Sequence, residues 1–250
     1  MSFLPKSVFS RLALPILCSG FISAPAVADL SADIGLASEY VREGIGQTQG
    51  NPAVQAGLTY YNSLGFYGGL WASSVDIEDE EADAESAAFI GYNFRITDKL
   101  AFDLGVTHYE YIGSGDASDL SYTEGFAKAL WDDAWVLGWR QTPSYLDSNQ
   151  AKRSLELSYT INTGTFSIEI YGAQHRYLEL EHTIDDFLGP VTPDANFGGR
   201  NTDDYWQFRT SVGRSYNNYD YRATIERSNL GSDFEGGLSL HLSVHRYFDW

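Results

Sequence analysis

Leu238-Ser239-Leu240-His241-Leu242-Ser243-Val244-His245-Arg246-Tyr247-Phe248-Asp249-Trp250 is the stretch on which the fold turns. Leu238, Leu240, Leu242, Val244, Phe248 and Trp250 share one parity, and Ser239, His241, Ser243, His245 and Asp249 the other. Successive side chains of a strand point to opposite faces, so this is a strand with one apolar and one wet face. Leu155, Leu157, Tyr159 and Ile161 against Ser154, Glu156, Ser158 and Thr160 repeat the pattern. So do Phe166, Ile168 and Ile170 against Ser167 and Glu169, and Leu100, Phe102, Leu104 and Val106 against Asp103 and Thr107. The same template finds about twelve segments, near 32–42, 53–61, 66–75, 87–96, 100–110, 121–131, 134–141, 153–161, 165–176, 204–215, 219–228 and 237–250. The third and sixth are ambiguous in register. In the sixth, Thr123, Gly125, Ala127, Ala129 and Trp131 are assigned outward, because Glu124 and Lys128 hold the other face.

The connections alternate in length. The short ones are Asn62-Ser63-Leu64-Gly65, Thr97-Asp98-Lys99, Asp132-Asp133, Asn162-Thr163-Gly164 and Asn217-Asn218, all tight-turn compositions. The long ones are Glu43–Pro52, Asp76–Ser86, Tyr111–Leu120, Thr142–Lys152, Tyr177–Asp203 and Asn229–Gly236. A soluble sandwich has no reason to alternate so regularly. A transmembrane β-barrel does: short periplasmic turns, long extracellular loops, both termini inside and an even strand number. Aromatic residues bracket the short turns: Tyr60, Tyr61, Phe66 and Tyr67; Tyr92, Phe94 and Phe102; Trp131 and Trp135; Tyr159 and Phe166; Tyr216 and Tyr219. Amphipathic rings prefer the headgroup level, which makes these a girdle at one rim. The expected fold is therefore all-β, a single antiparallel barrel spanning residues 29–250.

Residues 1–28 read as a cleaved secretory signal peptide: Lys6 and Arg11, an apolar run from Leu12 to Ile22, and Ala26-Val27-Ala28 before Asp29. The single cysteine, Cys18, and the single methionine, Met1, fall inside it, so the mature chain has no disulfide, thiol nucleophile or cysteine-ligated metal. The net charge of −18 disfavours nucleic acid as a partner. No cofactor motif is present.

The segment Ser38-Glu39-Tyr40-Val41-Arg42-Glu43-Gly44-Ile45-Gly46-Gln47-Thr48, with Pro52-Ala53-Val54-Gln55-Ala56-Gly57-Leu58 and Gly65–Asp76, resembles the opening of the TorF porin family. In place of the family's aromatic-Arg-Gly pattern this chain has Arg42-Glu43-Gly44, and Gly46 stands where the family has Ser. The resemblance covers about the first 50 mature residues. It implies an outer-membrane barrel with channel function and no particular substrate.

Assigning apolar parity to lipid leaves an inner face with Arg95, Lys128, Arg140, Arg209 and Arg222 against Glu39, Asp103, Glu124, Glu156, Glu169 and Glu226, with His241 and His245 beside them. Two readings follow: a water-filled lumen whose opposed charges focus a field on passing solutes, or a salt-bridged plug. Asp76, Glu78, Asp79, Glu80, Glu81, Asp83 and Glu85 form an expected acidic mouth, with more carboxylates beside the loop Tyr177–Asp203. Such a ring favours cations. The loop Tyr177–Asp203 is long enough to fold inward as a constriction or to stay outside. The expected function is passive diffusion of small polar solutes or ions with mild cation preference, in the outer membrane of a Gram-negative bacterium. The expected partners are outer-membrane lipid, lipopolysaccharide and the barrel-insertion machinery. A non-conducting structural barrel is the rival. A lipid-hydrolysing enzyme is a weaker one, resting on His108 near Ser118 and Ser121 at the outer rim without a family motif.

Overall fold

The computed structural model describes residues 29–250 except 78–80, 147, 149, 179–195, 198–199, 202–203 and 231–236. Twelve strands of the described residues close into one antiparallel barrel. They are β1 (Asp29–Ala37), β2 (Ala53–Tyr61), β3 (Phe66–Ile77), β4 (Ala82–Arg95), β5 (Leu100–Gly113), β6 (Tyr122–Trp131), β7 (Trp135–Thr142), β8 (Ala151–Asn162), β9 (Ser167–Leu178), β10 (Asp204–Tyr216), β11 (Tyr219–Ser228) and β12 (Leu238–Asp249). Each strand pairs with its sequence neighbours. Closure comes from β1 and β12, where Ser31 faces Asp249 and Ala37 faces Ser243.

The closed ladder removes every sheet edge, which is what a hydrocarbon environment requires of a strand-built protein. The apolar parity faces out. Leu238, Leu240 and Leu242 are 76%, 67% and 56% exposed, as are, to similar degrees, Ile34, Leu36, Leu70, Ile90, Leu137, Leu157, Ile170, Phe208 and Ile225 around the wall. In water such a band would be strongly unfavourable; in a bilayer it is the contact surface. The polar parity faces in and is the buried one: Gln55, Asp103, Thr107, Glu124, Arg140, Glu156, Ser211, Thr224 and Glu226.

The short turns are as tight as their compositions require. Asp132 and Asp133, and Asn217 and Asn218, all have positive φ of 51–64°. That is the geometry a two-residue hairpin needs to match strand twist, and Asn and Asp tolerate it best among residues with a Cβ. Trp131, Trp135, Phe166, Tyr216 and Trp250 are exposed at this turn end. Adjacent rings divide between the faces because parity alternates: Tyr60 and Phe66 point out, whereas Tyr61 and Tyr67 turn inward and meet at 5.5 Å. The ambiguous third strand takes the register with Phe66 and Leu70 outside and Tyr67, Trp71 and Ser73 inside. The sixth takes the expected one, with Glu124 inside.

Two connections differ from expectation. β3 and β4 run on to Ile77 and from Ala82, so the long loop expected over Asp76–Ser86 is largely strand. The first strand ends at Ala37 rather than at residue 42, and the chain after it does not form an outer loop.

Candidate functional site

The segment following β1 enters the barrel. Ser38 N donates to Leu242 O at 2.8 Å, and Leu242 N returns a bond to Ser38 Oγ at 2.9 Å, which pins the departure point to β12. Val41–Gly46 then forms a small hairpin, Val41 opposite Gly46 and Arg42 opposite Ile45. Its turn is Glu43-Gly44, with φ of 53° and 79°, again the left-handed pair that a two-residue turn demands. Behind it, Tyr40 N donates to Thr48 Oγ1 at 3.1 Å and Gln47 N to Tyr40 O at 2.7 Å. Asp76 N donates to Gln47 O at 2.8 Å, tying the returning chain to β3.

The hairpin touches walls on many sides. Arg42, 2% exposed, pairs with the fully buried Glu85 of β4. It also bonds Tyr122 of β6, donates to Tyr111 Oη at 3.2 Å, and lies 3.8 Å above the Tyr109 ring of β5. Glu43 meets Arg140 of β7 at 2.9 Å and Lys152 of β8, and accepts from Tyr145 Oη at 3.3 Å. The Gly44 carbonyl accepts from Ser228 Oγ of β11 at 3.2 Å. A Cβ on Gly44 would sit 2.8 Å from Ser228 Cβ, so this position takes glycine for space as well as for φ. One six-residue turn thus bridges β4, β5, β6, β7, β8 and β11 at the loop end of the barrel.

Arg140 is the hub beneath it. Its guanidinium donates Nε to Glu156 Oε1 at 2.6 Å and Nη1 to Glu124 Oε1 at 3.2 Å, and reaches Glu43 with Nη2. The planar five-donor fork suits an ion that must serve three carboxylates. Burial alone would raise the Glu43 carboxyl, but Lys152 and Arg140 beside it hold it well below the usual carboxylate range. A tyrosine arc surrounds this network: Tyr109–Tyr122 at 4.9 Å, Tyr122–Tyr145 at 5.0 Å and Tyr145–Tyr177 at 6.0 Å. Lys152 lies 3.6 Å from the Tyr145 ring. On the adjoining wall His175 of β9, fully buried, stacks on Tyr205 and bonds Ser154 Oγ at 2.8 Å and Gln207 Oε1 at 2.9 Å. Gln207 Nε2 donates to Glu226 Oε1 at 2.6 Å, so its Oε1 is the acceptor and His175 carries its proton on Nε2.

The expected inner-face residues separate into two levels. Glu124, Arg140, Glu156 and Glu226 belong to the loop-end network just described. Glu39 sits half-buried in the bend before the hairpin, beyond the end of β1. Toward the turn end, pairs join neighbouring strands. Glu169 meets Arg209 at 2.8 Å, Asp103 stands opposite Lys128, and His245 meets Asp33 at 3.0 Å. Arg222 lies 3.9 Å from Asp220 on its own strand. Asp103 also accepts from Tyr67 Oη at 2.8 Å. His241 is half-buried on the inner face, its Nδ1 without a hydrogen-bond partner. Arg95 is the exception among the basic residues: it has inward parity but stands exposed at the turn rim, bonded to the Asp98 carbonyl at 2.7 Å and to Asp133 at 3.2 Å.

The acidic mouth needs correction. Glu85 is no part of it, because β4 extends past it and turns its side chain onto Arg42 inside the barrel. Asp76, Glu81 and Asp83 are exposed at the loop end, Glu81 accepting from Ser114 Oγ at 2.5 Å. Glu78, Asp79 and Glu80 lie outside the described residues, as does most of the loop Tyr177–Asp203. Tyr177 itself is in β9 and points inward. His108 is exposed and bonded to Thr123 Oγ1 at 2.9 Å, not to Ser118 or Ser121, and Ser121 Oγ instead accepts from Tyr111 N at 3.4 Å. Sequence parity found Arg140, Glu124 and Glu156 but missed Arg42, Glu43, Lys152 and His175. An Arg-Glu-Gly turn in a segment lacking strand alternation was the only available signal for the first two.

Residues 23–145 match the family model described as "Bacterial protein of unknown function (Gcw_chp)". Among curated proteins there is no match. Solved structures share the fold. One titled "KdgM porin" has a TM-score of 0.53 at 8% identity, over 87% of this chain and 99% of that one. A structure of "KdgM porin in complex with disordered oligogalacturonate" has 0.52 at 6%, over 88% and 99%. A NanC porin structure has 0.52 at 9%, over 86% and 97%. At these identities the likeness is one of fold.

Proposed function

We propose that this chain is an exported outer-membrane channel of porin type, passing small polar solutes or ions through a lumen that the Val41–Gly46 hairpin narrows. The observation that carries the reading is the pairing of an apolar outer band with a charged inner face in a closed twelve-strand barrel. A barrel kept only as a scaffold can fill its interior with apolar or small side chains. This one invests in charges, which are costly to bury unless paired. The fold shared with porins and the resemblance of residues 38–76 to the TorF family support the same reading. Export through a signal peptide cleaved before Asp29 completes it.

The hairpin favours a second reading, a barrel that does not conduct at rest, since a segment bridging six strands stands across any axial path. The exposed carboxylates Asp76, Glu81 and Asp83 support mild cation preference for whatever passes. Planar-bilayer recording on the refolded mature chain tests these together. Ohmic steps whose reversal potential shifts toward cations in a salt gradient are expected. Silence in the wild type and in a variant with residues 41–46 replaced by a short Gly-Ser link would overturn the channel. Silence in the wild type alone, with steps in the variant, would select the resting-closed form.

A further inference from the structure

The cage around Arg42 is made by the barrel wall, and its occupant is not part of that wall. Glu85 on β4 stands opposite Tyr111 on β5, and Tyr109 on β5 stands opposite Tyr122 on β6. Regular ladder pairing therefore sets these four side chains in place without the hairpin, and all four are buried. Onto one guanidinium they converge a carboxylate, two phenol oxygens and an aromatic face. Arg42 Nη1 donates to Glu85 Oε1 and, at 3.2 Å, to Tyr111 Oη. Nη2 donates to Tyr122 Oη, and Cζ lies 3.8 Å from the centroid of the Tyr109 ring. Among the described residues Arg42 is the one cation paired with Glu85. The other loop-end guanidinium, Arg140, is committed to Glu43, Glu124 and Glu156.

A buried carboxylate deprived of its cation is strongly unfavourable, so the cage calls for a cation whenever the hairpin leaves it. The hairpin fills it imperfectly. Arg42 Nε is buried and has no hydrogen-bond partner among the described residues. Glu43, next in the chain, has a φ of 53°, a left-handed conformation that is costly for a residue with a Cβ. The hairpin ladder itself pairs only two residues with two. The cage lies at the loop end, where the exposed carboxylates Asp76, Glu81 and Asp83 raise the local concentration of cations. A guanidinium is flat, weakly hydrated and forked, which suits a carboxylate and two phenol oxygens set around a ring face. An ammonium is a compact, strongly hydrated point charge and suits them less. We propose that Glu85, Tyr109, Tyr111 and Tyr122 form a binding site for the guanidinium group of a small organic cation. Arg42 fills it as a tethered stand-in, and a free guanidinium solute loosens the hairpin by taking its place. This rests on the reading of the loop end as a channel entrance and names the class of solute that the entrance recognises.

The test titrates refolded mature protein in detergent with propylguanidinium, the end of an arginine side chain, and with butylammonium, the end of a lysine side chain, at matched ionic strength. In the wild type, millimolar propylguanidinium is expected to open residues 41–46 to limited proteolysis with a saturating dose response, and butylammonium is not. Cleavage with neither cation, or equally with both, overturns the site. Calorimetry on Arg42→Ala should find propylguanidinium bound at least about tenfold tighter than by the wild type, because an occupant in cis lowers apparent affinity by the fraction of time it fills the site. Equal affinity in the two proteins overturns the tethered stand-in. Adding Tyr109→Leu to Arg42→Ala should weaken that binding about tenfold, the size of a desolvated cation–π contact. Unchanged affinity overturns the cage as the binding site. The wild-type comparison needs no variant, so a folding failure of either leaves the proposal open to refutation. No readout is a current: a chain that binds and never conducts keeps the site and loses the channel, and one that conducts without binding does the reverse.

Discussion

The loop end and the turn end of this barrel are built from the same polar alphabet and are organised differently. At the turn end, charged inner residues pair with neighbours on the same or adjacent strands: Glu169 with Arg209, Asp33 with His245, Asp220 with Arg222. Removing one such pair changes the lining and leaves the frame alone. At the loop end, the pairs span the lumen through a segment that belongs to no barrel strand. Arg42 joins β4, and Glu43 joins β7 and β8. The lesson is that a polar lining becomes an obstruction only when something crosses it. In this molecule the crossing depends on two adjacent side chains of opposite charge.

The largest expected effect comes from removing Glu43. Glu43→Ala leaves Lys152 without its carboxylate and Arg140 with one fewer. A buried charge deprived of its partner costs about 3–5 kcal/mol, a penalty that withdrawal of the hairpin and entry of water relieves. Conductance in planar bilayers should rise several-fold, and protease cleavage near residues 41–46 should appear. Unchanged conductance with an intact hairpin would mean that the two ends are equally obstructed.

Acid should act on the same contact. Glu43 is held well below the usual carboxylate range, by Lys152 and Arg140 against the opposing effect of burial. Its stabilising share is therefore complete above the ordinary carboxylate value and is lost as pH falls through the depressed one. Lys152, Arg140, Arg42, Tyr145 and His175 surround it, and none of them changes this sign. The share of the hold that Glu43 supplies should persist from neutral pH down through the normal carboxylate range and be lost only below it, read as a rise in conductance there. In Glu43→Gln the rise should be absent, because that hairpin is loose at every pH.

Gly44→Ala should produce a smaller change in the same direction. It combines a positive φ of 79°, worth about 1–2 kcal/mol for a residue with a Cβ, with a contact of 2.8 Å to Ser228 Cβ. Gly50→Ala is the control: φ is 75°, and nothing lies within 4 Å of the added carbon. If both variants conduct alike, backbone conformation rather than seating against β11 controls the hairpin. The smallest effect on conductance belongs to the turn end. Arg209→Gln removes the bridge to the buried Glu169 and should cost no more in urea unfolding than a broken buried pair, about 3–5 kcal/mol. Single-channel conductance should shift far less than in Glu43→Ala.

Most of the frame was legible from residue order. Alternation in Leu238–Asp249 and Ala151–Asn162, and the Asp132-Asp133 and Asn217-Asn218 turns, are local properties: parity has period two, and a left-handed turn needs residues that tolerate it. The same parity placed Arg140, Glu124 and Glu156 inside, because each sits on a regular strand. It overreached at Arg95, where a strand end lets an inward residue bend toward the rim; the loop reading, not parity, misplaced Glu85, because the extended β3 and β4 replace that loop.

The sequence by itself determined how many times the chain crosses, which face meets lipid and which end is short-turned, since these follow from contacts between residues a few positions apart. Only the tertiary structure decided that Val41–Gly46 points into the lumen. Arg42 and Glu85 are 43 residues apart, and Glu43 and Lys152 are 109 apart. Neither pair can be recognised until the barrel has closed and brought β4, β7 and β8 around the hairpin.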